Sequence, residues 1–376
     1  MNAYDILVDH IYYDVNLEDM TVSVTSGDIS YMGNITIPAS IVYNGHELQV
    51  VSVDGKSFKS CSDLKSVTIS EGIKSIESAA FYNCRNLSKV VLPKTLKNLG
   101  SHVFWNCSSL ESVDIPDGIK NITQTCFYGC TSLKSVKIPE SVTSIESNAF
   151  TGCESLKQIE LPKSLIEIVN WAFARTGLVS ITIPSSVIFI SCDAFQNCSS
   201  LKNVTFEDGE KDLFIGAGTA NILLEASPLE SLYIGRNYSF LLHDNSLISS
   251  NTLKRVTFGK NGTNYQNFTS TENLEEIYCN FINPTNVPIN FSTKTYLNAT
   301  LFVPKGTKED FTKANSWKYF FNIQEFDVNS TAVKDIKQTN DRKLYYNLNG
   351  IWQPYPNKGV NIIQTSNGKL QKILIK

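Results

Sequence analysis

Long apolar runs are missing from these 376 residues. No stretch approaches the ~18 consecutive apolar residues that a membrane-spanning helix requires, so none is expected. Basic excess is missing as well: 33 Lys and Arg stand against 36 Asp and Glu, for a formal charge of -3. No basic stripe interleaved with aromatics occurs either, which argues against a nucleic-acid partner. Histidine is scarce. His10, His46, His102 and His243 fall in no H-E-x-x-H motif and beside no paired carboxylates, so each is read as a surface or loop residue. Gly216-Ala217-Gly218-Thr219 and Gly259-Lys260-Asn261-Gly262-Thr263 lack the G-x-x-x-x-G-K-[ST] spacing of a phosphate loop and are assigned to coil insertions. The opening Met1-Asn2-Ala3-Tyr4-Asp5 has neither a basic n-region nor an apolar h-region. That fits a cytosolic chain, or one whose export signal was removed beforehand. These absences leave no catalytic residue, metal or cofactor to expect.

What is present is repetition. Cys61, Cys84, Cys107, Cys130 and Cys153 fall at a strict 23-residue period, and so do Phe58, Phe81, Phe104, Phe127, Phe150 and Phe173, with Phe195 after 22. Leu64, Leu87, Leu110, Leu133, Leu156, Leu178 and Leu201 run in register with them. A further column reads Ile69, Leu92, Ile115, Ile138, Leu161, Ile183 and Phe206, and five of its members are followed by Pro93, Pro116, Pro139, Pro162 and Pro184. Registered columns of this kind mark a solenoid, in which each coil covers the apolar side of its neighbour.

One coil shows the logic. Val90 and Leu92 alternate with Lys89 and Val91, the period of a short strand. Pro93 removes a backbone donor and closes it. Leu96 and Leu99 carry the chain back across the far side, and Val103-Phe104-Trp105-Asn106-Cys107 is expected to form a helical turn that drops Phe104 and Cys107 inward. Twelve strands are expected, ending at Ile37, Ile69, Leu92, Ile115, Ile138, Leu161, Ile183, Phe206, Ile234, Phe258, Cys279 and Val303. A ladder with one thiol per coil lacks the short spacings of a zinc site. Stacked cysteines would also point their Cβ atoms in parallel, too wide for a disulfide. Buried free thiols are the expectation.

Ala149-Phe150-Thr151-Gly152-Cys153-Glu154-Ser155-Leu156 resembles the Ala-Phe-x-x-Cys-x-x-Leu signature of the BspA-like leucine-rich-repeat family, also called the Treponema pallidum type, and Ile138-Pro139 resembles its strand ending. The resemblance covers about residues 35–327. The tail, through Tyr346-Asn347-Leu348-Asn349-Gly350 and Lys358-Gly359, is similar to C-terminal modules of exported Bacteroidetes proteins, with departures at Ile351 and Asn361. The resemblance implies export to the bacterial cell surface or outside, and adhesion or recognition; it carries over no catalytic residues.

The fold expected is therefore a leucine-rich-repeat solenoid, mostly β, a right-handed curved stack with a concave parallel sheet. Residues 1–34 are read as an N-terminal β cap, 35–327 as the solenoid with an aromatic end plug over 305–327, and 328–376 as a small β module. On the outward strand face, the N-terminal columns hold small and charged residues. The C-terminal coils gather Tyr233, Arg255, Tyr278 and Phe302, types enriched at binding hot spots. These four are the candidate site: Tyr233, Thr257, Tyr278 and Phe302 are expected in a line with Arg255 alongside, as an open aromatic platform for a protein or glycan. A spacer that presents another module, without a ligand of its own, is the alternative.

Overall fold

The computed structural model describes residues 4–216, 223–224, 227–241, 247–248, 250–263, 265 and 268–328, and the backbone of 344–346, 352–353, 359–364 and 370–375. The chain forms two compact units, Met1–Glu325 and Phe326–Lys376. The described part of the second is a four-stranded antiparallel sheet. The first is a mostly-β solenoid of about eleven turns with parallel sheets.

Apart from the coil carrying Leu161, each regular coil contributes a strand of three or more residues to a main sheet and a shorter one to a second sheet. In Ser112–Asp114 only the central Val113 is buried, and it pairs in parallel register with Val136 of the next coil. The main sheet runs through Gly33–Ile37, Leu64–Ile69, Lys89–Val91, Ser112–Asp114 and Ser135–Lys137. After a break it resumes with Ser180–Ile183, Asn203–Phe206, Ser231–Ile234, Arg255–Phe258, Glu276–Cys279, Thr300–Pro304 and Asn322–Phe326. The expected strand ending at Leu161 is not formed as a regular strand, although Val179 N–H still donates to the Lys157 carbonyl. The break coincides with a shortened coil, for the turn from Phe173 to Leu178 is one residue shorter than the turn from Phe150 to Leu156. There Gly177 lies so close to the Glu154 carbonyl that a Cβ would come within 1.9 Å. The second sheet is broken elsewhere, between Asn98–Leu99 and Asn121–Ile122.

The turn holding Phe104 and Cys107 is not helical. Trp105 N–H donates to the His102 carbonyl and Cys107 N–H to the Phe104 carbonyl, two successive reverse turns. His102 at φ 61° and Asn106 at φ 54° are left-handed, and these positions recur as Ala79, Thr125 and Asn148, and as Asn83, Gly129 and Gly152. A left-handed residue interrupts the helical run of carbonyls, so the turn folds as two corners. Its backbone makes a third ladder: Phe81, Phe104, Phe127 and Phe150 donate to Val103, Cys126, Ala149 and Ala172 of the following coils.

Beneath it the phenylalanine column is a continuous stack, with centroids 5.4 Å apart from Phe104 to Phe127 and 5.3 Å from Phe127 to Phe150. Tyr31 ends it, 4.3 Å from Phe58. All nine cysteines are buried and free. In the ladder after Cys61, each thiol donates to the phenylalanine carbonyl of the preceding coil: Cys84 to Phe58 at 2.8 Å, Cys107 to Phe81 and Cys130 to Phe104 at 3.1 Å, and Cys153 to Phe127 at 3.2 Å. The column thus selects a small apolar side chain carrying one weak donor.

The irregular C-terminal coils use other devices. Arg236, 1% exposed, reaches two strands back and donates to the carbonyls of Pro184, Ser185 and Val187. Burial pushes its guanidinium down to about 10. The segment 305–327, read from the sequence as a plug alone, holds the helix Lys308–Lys313, the buried Trp317, and Asn322–Phe326 as a further strand of the main sheet. At the other end Ile6–Val8, Ile11–Asn16 and Thr21–Thr25 form an antiparallel meander. It joins the second sheet through the parallel pairing of Thr21–Thr25 with His46–Val53.

Candidate functional site

Three of the four candidate residues come together. Strand register places Thr257, Tyr278 and Phe302 side by side on the outward face, with Arg255 beside Glu276 one step along. The rings of Tyr278 and Phe302 stack at 4.4 Å and 7°. The Arg255 guanidinium lies 5.8 Å from the centre of the Tyr278 ring, while its Nε donates to Glu276 Oε2 at 2.6 Å. Burial and the Glu276 carboxylate raise the Tyr278 phenol, and Arg255 opposes them.

Tyr233 stands apart, and the open platform does not form. Its side chain is 1% exposed, and its hydroxyl donates to the Asp208 carboxylate, 2.8 and 2.9 Å from the two oxygens. Burial, then the Asp208 charge, raises its pKa. Thr257, next in line, is fully buried. The Asp208 carboxylate lies over Gly259, where a Cβ would meet Oδ1 at 2.3 Å. The platform fails for a second reason. Adjacent strands are ~4.8 Å apart, close to the stacking distance of two rings, so aromatics in one outward column stack on each other and present edges.

The structure also contains an aromatic row that the strand columns do not reveal. Tyr82, Trp105 and Tyr128, each following a core phenylalanine, are half-buried on the turn and stacked at 5.5 Å and 4.4 Å. His102 stacks on Trp105 at 5.3 Å, and the Lys59 ammonium lies 5.5 Å from the Tyr82 ring centre. The signal in the sequence was the column Lys59, Tyr82, Trp105 and Tyr128 itself.

Among the described residues no three His, Cys, Asp or Glu are placed to hold a metal ion, and no helix is long and apolar enough to cross a membrane. His10 and His46 are exposed. His243 and residues 217–219 lie outside the described residues. Two shallow depressions, of about 620 and 670 Å³, line the strand starts around Asp63, Lys65 and Asn86 and around Lys254, Asn273 and Lys294.

A parallel-sheet solenoid with a regular apolar ladder defines a leucine-rich-repeat protein. The chain belongs to the BspA type leucine rich repeat family, whose model matches residues 51–176, 120–240 and 170–292. Membership implies a protein-interaction or scaffold role, in a family that is typically non-enzymatic. Among solved structures the chain is similar to a leucine rich cell surface protein from Faecalibacterium prausnitzii, with 22% identity, TM-score 0.50, and coverage of 89% of this chain and 97% of that one. It is also similar to a leucine rich repeat protein of T. pallidum, with 23% identity, TM-score 0.45, and coverage of 60% and 91%. No curated protein sequence matches the chain.

Proposed function

We propose that the chain is a non-enzymatic recognition protein, exported and working at the bacterial cell surface or outside the cell. Its ligand is a protein, contacted on the outward face of the main sheet at Arg255, Tyr278 and Phe302. One observation carries this reading: the Arg255–Tyr278–Phe302 stack, held in place by Glu276. Arg and Tyr dominate interface hot spots, and side chains already fixed lose little entropy on binding. Tyr278 has Phe302 on one side and Arg255 near its ring, so the site presents ring edges beside an ion pair, which suits a protein surface better than a sugar face. Tyr233, buried with its hydroxyl on Asp208, takes no part in it. Surface placement draws on the Faecalibacterium prausnitzii neighbour, described as a cell surface protein.

The test is a binding screen of the purified chain against extracellular-matrix and cell-surface proteins, repeated with Tyr278→Ser/Phe302→Ser. The double variant should keep its circular dichroism and weaken the interaction by a factor of about 10–100, as loss of hot-spot side chains does. An identified protein ligand bound equally well by the variant refutes this placement.

A further inference from the structure

The turn-side aromatic row ends abruptly, and its end has the shape of a binding subsite. Lys59 caps the Tyr82 end. At the other end Tyr128 stacks on Trp105 through one face, and among the described residues no aromatic ring or cation is paired with the other. The next residues in the column are Thr151, 7% exposed and turned inward to donate to the Trp171 carbonyl at 2.6 Å, and Ala174, 4% exposed. This column therefore steps down at Thr151, beyond Tyr128 and before the half-buried Trp171 indole that donates to Gln196, leaving a ledge with a ring face for its wall. The ledge is about one coil deep, roughly the ~4.8 Å of one strand spacing. Gly152 forms part of its floor, and even a Cβ there would meet nothing closer than 3.7 Å. Polar side chains stand near it: Gln124 is exposed, and Asn148 is half-buried with its amide oxygen 3.2 Å from the Thr151 hydroxyl.

We infer that the Tyr128 ledge is a stacking subsite for one pyranose ring of a glycan, separate from the Arg255–Tyr278–Phe302 site. A pyranose has an apolar C–H face that can continue the stack and a rim of hydroxyls suited to amide side chains. An aromatic side chain from a protein partner fits less well, because it would need an apolar collar where Gln124 and Asn148 stand. The wall is rigid, since Tyr128, Trp105 and Tyr82 support one another above the phenylalanine stack, so little ordering entropy is lost on binding.

The experiment is a glycan array of neutral and acidic oligosaccharides probed with the full chain, Tyr128→Ser, Thr151→Tyr and Tyr278→Ser/Phe302→Ser. Thr151→Tyr extends the row into the ledge, and the same coil position already carries Tyr at 82 and 128. At least one glycan class should retain the full chain, and both ledge variants should weaken retention about tenfold, the loss of one ring-stacking contact. The main-sheet variant should leave it unchanged. Trp105 emission in the unaltered chain should shift when a retained oligosaccharide is added, a readout that requires no variant to fold; Trp105→Phe is its reference. Three results overturn the inference: no glycan retained, retention unchanged in both ledge variants with Trp105 emission unmoved, or loss confined to Tyr278→Ser/Phe302→Ser. Binding through Tyr128 to a matrix protein, with no glycan retained, overturns the sugar assignment as well.

Discussion

A thiol in this core has two jobs: it fills a small apolar slot, and it satisfies a carbonyl one coil away. Burial holds the proton on. Cys84 and Cys126 are pushed up to about 12 and Cys192 to about 11, from an ordinary 9.0, and Cys107 and Cys130 are also raised well above it. Iodoacetamide at neutral pH should therefore leave Cys84, Cys107 and Cys130 unmodified in the folded chain and label all three once denaturant is added. Mass spectrometry showing rapid native labelling, or a Cys84–Cys107 bridge, would contradict this. The pH dependence follows from the same shifts. An acid whose pKa is raised by folding contributes stability below its unfolded value and loses it as pH rises towards its folded one. The urea midpoint should thus fall above about pH 9 and continue falling towards about pH 12. A flat or rising midpoint there would show that the thiols ionise without cost. Tyr233 marks where residue-by-residue reading stops. Alternation placed it correctly on the outward face, but alternation carries no information about Asp208, which closes over that face from an inserted segment 25 residues earlier.

Coils were legible where apolar period and breaker residue agreed. Strands ending at Ile69, Leu92, Ile115 and Ile138 form within two residues of where the alternation ends them, with inward valines in all four and a proline closing the last three. The turn was harder. Phe104 and Cys107 stand three apart, a spacing shared by a helix and by two linked reverse turns, and apolar period cannot separate them. The asparagines and glycines in the Asn83, Asn106, Gly129 and Gly152 column do, since they accept a left-handed backbone most readily. The regular strand ending at Leu161 is absent where the following turn, before Leu178, is one residue short, a signal that lies outside that coil. At this scale the phenylalanine stack gives the strongest expectation. Phe127 is fully buried between Phe104 and Phe150. Phe127→Ala should cost about 3–5 kcal/mol in urea unfolding, with hydrogen exchange fastest in its own and adjacent coils. A loss below ~1 kcal/mol would mean that the stack does not carry the core.

For the whole solenoid, near-identical coils make length a variable. Removing residues 111–133, one full 23-residue period, joins Leu110 to Lys134 with every column in register. That deletion should give a folded, monomer-sized species with a lower melting temperature, whereas removing 111–130 should aggregate, because it turns every later apolar column out of line. Size-exclusion chromatography and circular dichroism distinguish the outcomes; equal behaviour of the two deletions would refute the register.

The two sheets are interrupted at different heights, and this has a mechanical consequence. Where the second sheet lapses between the coils of Phe104 and Phe127, the main sheet pairs Lys89–Val91 with Ser112–Asp114. Where the main sheet lapses around Leu161, the second sheet pairs Ser144–Ile145 with Glu167–Ile168, and those with Phe189–Ser191. The seams are staggered like the joints of a brick wall. A pull along the stack meets no level at which both courses part together, so tension passes from one wall to the other instead of opening a crack.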